Sequence, residues 1–310
     1  MPIDPSLLTK LPSLKLRARS VVEGVLSGLH KSPYQGQSVE FAEHKEYAPG
    51  DELRHVDWKA FGKLDRYYVK RFEHETELSV LLAIDASGSM NYGSGPLTKL
   101  DAAATLCAAL AHLLIRQQDA VGLMIFGGDA LEFIPPRSGA GHVQVIYEAL
   151  DALTGKGKCN LTKMADALAE KARRRSAIFV FSDLFDDDEA AGSDSGSGTG
   201  GLDALLRLRT RKHEVAIFHT LDQDELDLPF DDPMRFLSME ADGKELQTHP
   251  RELRASYLEE MNAFLAATKR RSTELGSDYT LLTASEPLDR VLLRFLSRRE
   301  RLRAGGGRSA

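Results

Sequence analysis

Ser79-Val80-Leu81-Leu82-Ala83-Ile84-Asp85-Ala86-Ser87-Gly88-Ser89-Met90 is the stretch on which the fold turns. From Val80 to Ile84 every side chain is apolar, and charge arrives abruptly at Asp85. A strand in a parallel sheet with helices on both faces reads this way, because it has no wet face to carry alternate polar residues. Three later runs have the same character: 121–126 (VGLMIF), 177–182 (AIFVFS) and 215–220 (VAIFHT). Helical patterns fall between and after them, at 100–117, 142–153, 162–174, 251–274 and 286–303. YTLLT at 279–283 reads as a last strand. Gly127-Gly128-Asp129 leads into a short strand at 130–134, a hairpin signal, and a second hairpin is expected over 234–247, turning at Asp242-Gly243. Strands alternating with helices predict an α/β protein whose mostly parallel sheet is covered on both faces.

The chain before this unit differs in character. Leu7, Leu8, Leu11, Leu14, Val21, Val22, Val25, Leu26 and Leu29 recur at helical spacing, with Pro12 interrupting early. Residues 36–77 are rich in aromatic and β-branched residues around the turn signal Pro49-Gly50-Asp51, and carry the only tryptophan, Trp58, expected to pack. The expected division is therefore 1–77, an N-terminal helix and β-rich segment, and 78–310, the α/β domain. Within the latter, residues 186–201 (DDDEAAGSDSGSGTGG) hold too little apolar surface to order themselves and are expected to form a disordered loop. Their Gly196, Gly198 and Gly201 spell a G-x-G-x-x-G. The string lies well past the preceding strand, whereas a dinucleotide site needs it in the tight turn between strand and helix. Exchanging 187–200 for a short Gly/Ser linker should leave the melting temperature nearly unchanged. A fall beyond ~5 °C would show that the segment packs.

Composition narrows the function classes. The 310 residues carry a formal net charge of -6, with 42% hydrophobic and 28% charged residues, a globular balance. Arg173-Arg174-Arg175, Lys269-Arg270-Arg271 and the run 298–303 read as solvated helix faces, so a nucleic-acid partner is not expected. No secretory signal or membrane-spanning run is visible, and two cysteines, Cys107 and Cys159, suit a reducing compartment; the expected location is cytoplasmic.

The chemistry gathers at strand ends. Asp85, Ser87 and Ser89 follow the first buried strand, where ligands of open α/β sheets bind. One carboxylate and two hydroxyls are hard oxygen donors of the kind magnesium takes; the alternative is a loop closed by Asx and Ser turns onto its own backbone. Asp183 directly follows 177–182 and converges on the same ion if the two strands are neighbours, or else serves as a helix N-cap.

Asp85-x-Ser87-x-Ser89 with Asp183 downstream resembles the metal-ion-dependent adhesion site of von Willebrand factor type A domains. Lys45-Glu46-Tyr47-Ala48-Pro49-Gly50-Asp51, Arg54 and Val56-Asp57-Trp58-Lys59, with Asp119-Ala120-Val121-Gly122-Leu123 and Phe126-Gly127 later, resemble the signature of the bacterial domain-of-unknown-function 58 family. The resemblance implies a Rossmann-like type A fold and a metal site of Asp85, Ser87, Ser89 and Asp183 holding Mg2+. It also implies a non-enzymatic protein-binding module, an adaptor or assembly factor acting with a MoxR-type AAA+ ATPase or its client. Two positions depart from the pattern. Lys45 takes an arginine seat. Cys159, in Gly157-Lys158-Cys159-Asn160-Leu161, takes the seat of a threonine ligand, and a thiol is a poor magnesium ligand, so the site is degenerate and its metal weakened or lost.

Two other readings stand beside this one. One is a metal-dependent hydrolase or phosphatase; haloacid-dehalogenase-like enzymes, which also place an aspartate after their first strand, want a second aspartate two residues on, where Ser87 stands, and no G-x-S-x-G, H-E-x-x-H or P-loop string occurs. A structural protein with a vestigial metal site is the third.

Overall fold

The computed structural model describes residues 3–30, 44–46, 68–70, 79–128, 130–173, 175–185, 200–240 and 243–306. They fall into two compact units, one of residues 1–31 and 79–310, the other of 32–78. In the smaller unit β1 (His44–Glu46) pairs antiparallel with β2 (Tyr68–Lys70), His44 opposite Lys70. The turn at Pro49-Gly50-Asp51 and Trp58 lie outside the described residues, as does the stretch 186–199.

The larger unit opens with α1 (Pro5–Leu8) and α2 (Leu14–His30). Leu14, Ala18, Val21, Val22 and Val25 are buried, so the helical stripe read from sequence is a packing face. It packs on α3 (Lys99–Arg116) and on the last helix, α9 (Leu288–Gly306). The N-terminal helix grouped above with residues 36–77 thus packs with the α/β unit.

Among the described residues six strands make the central sheet: β3 (Ser79–Asp85), β4 (Ala120–Gly127), β5 (Ala130–Arg137), β6 (Ala177–Ser182), β7 (Glu214–Leu221) and β10 (Asp278–Thr283). Their order is β10-β7-β6-β3-β4-β5. Every pairing is parallel except β4 with β5, the expected hairpin. The register of that hairpin shifts between Val121 and Leu123, across from Pro135-Pro136. A Cβ at Gly122 would lie 2.8 Å from the Ile134 carbonyl oxygen and 2.9 Å from Pro136, so this irregularity requires glycine.

Helices cover both faces, as the run of apolar strands requires. On one face Leu81, Ala83, Ile178, Val180, Val215 and Ile217 pack with α5 (Leu161–Lys171) and α6 (Gly200–Leu206). On the other, Phe181 and Phe218 stack at 4.5 Å and α9 delivers Phe295 onto Phe218 at 4.8 Å. α4 (Ala140–Asp151) flanks α3 on that side. Beyond β7 lie the short α7 (Gln223–Asp227), the hairpin β8 (Met234–Leu237) and β9 (Glu245–Thr248), and the long α8 (Pro250–Glu274). Sequence patterning gave no sign of α6 or α7. Gly200 and Gly201, read as the end of a disordered loop, instead start α6.

β3 sits at the switch of strand order. The chain leaves it for β4 on one side and returns to β6 on the other. The carboxyl ends of β3 and β6 are therefore adjacent, with Ile84 opposite Phe181. The loops that follow diverge and open the crevice where open α/β sheets bind ligands.

Candidate functional site

Because β3 and β6 are hydrogen-bonded neighbours, Asp85 and Asp183 leave the sheet side by side. The condition set for their convergence is met. Asp85 Oδ1 accepts the Ser87 backbone N–H at 2.9 Å, and Oδ2 accepts the Ser182 hydroxyl at 2.7 Å. Ser87 and Ser89 Oγ lie 3.1 Å apart, and Ser89 Oγ donates to Asp183 Oδ2 at 2.7 Å. All four residues of the expected metal set are in one hydrogen-bonded neighbourhood. Asp85, Ser87 and Asp183 are fully buried, and Ser89 is half-buried at its edge.

The 3-10 turn Gly88–Asn91 carries Ser89 and is clamped between neighbouring loops. Gly88 N–H donates to the Gly157 carbonyl at 2.8 Å, Lys156 N–H donates to the Ala86 carbonyl at 2.8 Å, and Asn91 exchanges side-chain bonds with the backbone of Gly155. Above it sits the end of the β8–β9 hairpin. A Cβ added at Gly88 would stand 2.0 Å from the Met239 carbonyl oxygen, a contact that only backbone movement relieves. Gly88→Ala should therefore displace residues 238–240 and cost about 1–3 kcal/mol, as overpacking does. Urea titration measures it; an unchanged midpoint would show that the hairpin end is not seated on the turn.

Sequence reasoning missed the cation at this site. Lys99, the first residue of α3, runs inward and is fully buried. Its Nζ donates to Asp183 Oδ2 at 2.9 Å and to Glu225 Oε1 at 2.6 Å. Burial alone would push this ammonium down, but the two carboxylates outweigh it and hold its pKa above the ordinary lysine value. Glu225 is fixed by an N-terminal capping box on α7, its other oxygen accepting the Asp222 N–H at 2.8 Å. His219 lies beside Ser182 in the β6–β7 register and joins Asp183 O at 2.9 Å and Tyr279 OH at 2.9 Å. Burial pushes its pKa down to about 4, against the pull of Asp183, so the ring is neutral at pH 7.

The donor set fits a hard divalent cation on two grounds. Neighbouring oxygens around an octahedral ion with ~2.1 Å bonds stand roughly 3 Å apart, which matches the 3.1 Å between Ser87 and Ser89 Oγ. The charges also leave room. Burial, then the nearby Asp183 charge, push the Asp85 carboxyl up to about 6, although Ser182 and Ser87 oppose this. Lys99 pairs with Asp183 and Glu225, while Asp85 beside Asp183 has no ammonium of its own among the described ion pairs, an acidic excess that a cation relieves. Cys159 packs in the core cluster with Met124, Leu161 and Met164.

Residues 43–266, most of the chain, match the family described as Protein of unknown function DUF58. The chain belongs to the DUF58 family. Uncharacterized proteins of Mycobacterium bovis and Mycobacterium tuberculosis are each 27% identical to this DUF58 chain over 229 residues, 73% of it and 68% of the relative. Among solved structures it is similar to an aerotolerance-related membrane protein of Bacteroides fragilis, 18% identical with a TM-score of 0.39, over 64% of this chain and 98% of that one. It is also similar to the SpRpn10 VWA domain, 13% identical with a TM-score of 0.41, over 69% and 93% of the two chains. Among the described residues of this DUF58 chain no helix is long and apolar enough to cross a membrane.

Proposed function

We propose that the carboxyl edge of the sheet is a cation-assisted docking surface for a protein partner, and that the chain acts by binding rather than by catalysis. The observation that carries this reading is the serine pair. Two hydroxyl oxygens 3.1 Å apart are set between two buried carboxylates at the switch point of the sheet. Asp85, Ser87 and Ser89, with Asp183 behind Ser89, would hold the ion. Magnesium, when bound mostly by neutral hydroxyls, supplies an electrophilic position that a partner carboxylate completes. The partner we propose is a MoxR-type AAA+ ATPase or its client, following the family resemblance, in the cytoplasm. The energy for any driven step then comes from that ATPase.

The side chains at hand suit holding more than turning over. Lys99 is sealed between Asp183 and Glu225, and His219 is engaged on both ring nitrogens, so neither is placed to carry a proton to a substrate. Calorimetry with magnesium on the full chain and on Asp85→Asn tests the ion. A pull-down of a purified MoxR-type ATPase, with and without magnesium, tests the docking. Wild type should bind magnesium and capture the ATPase only in its presence, and Asp85→Asn should lose both. Capture that is indifferent to Asp85 sinks the model. Magnesium-dependent phosphatase turnover abolished by Asp85→Ala would put an enzyme in its place. The Cys159 seat has its own test: Cys159→Thr should tighten magnesium binding, and an unchanged isotherm removes position 159 from the site.

A further inference from the structure

Beside the candidate ion site, and opening onto it at Ser89, is a cavity of about 640 Å³ between α7, α8 and the β8–β9 hairpin. Its walls are Phe230, Phe236, Leu237, Leu246 and Leu253. The apolar surface does not stop at the cavity. Leu237 is 57% exposed, Leu246 59% and Leu253 48%, all on its rim. A small ligand filling the cavity would leave those rim side chains in water, whereas a polypeptide lying across it would cover them. The charged groups of the lining all have one sign. Asp224, Glu225 and Glu260 contribute, and no lysine, arginine or histidine does among the described lining residues. Two cations behind the lining are engaged there. Lys99 is sealed behind Glu225, and Arg254 is turned onto the carbonyls of Leu228 and Phe230 and the carboxylate of Asp231.

We infer that this groove is a docking site for a partner segment that presents large apolar side chains next to lysine or arginine. The apolar chains enter between the hairpin and α8. The basic groups meet Asp224, which Tyr92 OH leaves with acceptor capacity, and the exposed Glu260. A segment of acidic-apolar composition is repelled by the same rim. The chain's net charge of -6 steers a basic partner towards it at low salt. This contact goes beyond the cation-assisted reading, because it needs no metal ion.

The test is a selection of phage-displayed random dodecapeptides on the full chain in EDTA, followed by fluorescence anisotropy of the enriched peptides. Enriched sequences should pair leucine, phenylalanine or methionine with lysine or arginine. The double variant Leu246→Asp/Leu253→Asp should bind them at least ~10-fold more weakly. Both leucines are about half in water, so the aspartates are not buried, and an unchanged melting curve checks the fold. Asp224→Asn with Glu260→Gln should weaken binding several-fold and flatten its salt dependence. No enrichment, enrichment of acidic-apolar sequences, or affinity indifferent to both sets of substitutions overturns the inference. Because EDTA is present throughout, failure to bind magnesium cannot cause a negative result. Peptide binding alongside a flat magnesium isotherm would sink the cation reading and leave this one standing.

Discussion

Replacing Lys99 by methionine should lower the free energy of unfolding by about 3–5 kcal/mol, the cost of breaking a buried ion pair by removing one partner. Methionine keeps most of the volume and the apolar stem, so the change isolates the charge. Two features set the size. Lys99 and Asp183 are both wholly out of water, so Asp183 loses a partner that solvent cannot replace. Lys99 also stands at the first position of α3, where the helix dipole already disfavours a cation. It is held there by its carboxylates rather than by helix preference. Glu225 is partly wet and suffers less, so most of the loss belongs to Asp183. Urea titration on wild type and Lys99→Met measures it. Adding Glu225→Gln to the methionine variant should recover a fraction by removing the second unpaired acid. A loss under ~1 kcal/mol would show that water reaches Asp183 and that the triad is not a closed electrostatic unit.

Phe218→Ala should cost a similar ~3–5 kcal/mol, here through a cavity. Its ring is fully buried, stacked within 7° of parallel on Phe181 and tilted against Phe295. Phe179 stands edge-on at 6.4 Å. Truncation leaves three aromatic rings facing a void between β6, β7 and α9. His219 follows immediately, opposite Ser182, so the loss falls on the strand pair that aims Asp183. The expected result is a large fall in the urea midpoint with an unchanged slope. A fall of less than ~1.5 kcal/mol would mean that α9 collapses into the space.

The strand ends were readable because the residues that matter there are contiguous with the strands. The apolar run through Ile84 fixes where Asp85, Ser87 and Ser89 emerge, and 177–182 does the same for Asp183. Neighbouring strands then bring them together. Lys99, Glu225 and His219 left no such local mark. Lys99 reaches Asp183 across 84 positions and Glu225 across 126, and a lysine at a helix start reads as solvated until a fold surrounds it. Its place at the head of an alanine-rich buried helix was the available hint. His219 was closer to legible, since it lies near the end of an apolar strand, in register with Ser182. α6 escaped notice because Gly200 and Gly201 weaken helix propensity, which burial of Leu202 and Leu205 overrides. α7 carries its own capping box, Asp222 with Glu225, but it is too short for any periodicity to show.

Pro135-Pro136 and the kink they impose opposite Gly122 have a bearing on how the molecule behaves in company. Among the described strands β5 is the outermost on its side, and an open border of that kind is a template on which further chains can stack into fibrils. Two consecutive ring nitrogens carry no hydrogen. Since successive residues of a strand point their amides to opposite sides, one of the missing donors belongs to the outward-facing row. The ladder a newcomer would extend is thus interrupted near its end, and Glu132 sets a charge along the rest of it. The same irregularity that demands a glycine across the hairpin thus also blunts this edge against further pairing. Straightening it, by giving the two prolines back their amides, should raise the tendency of the chain to self-associate through this edge.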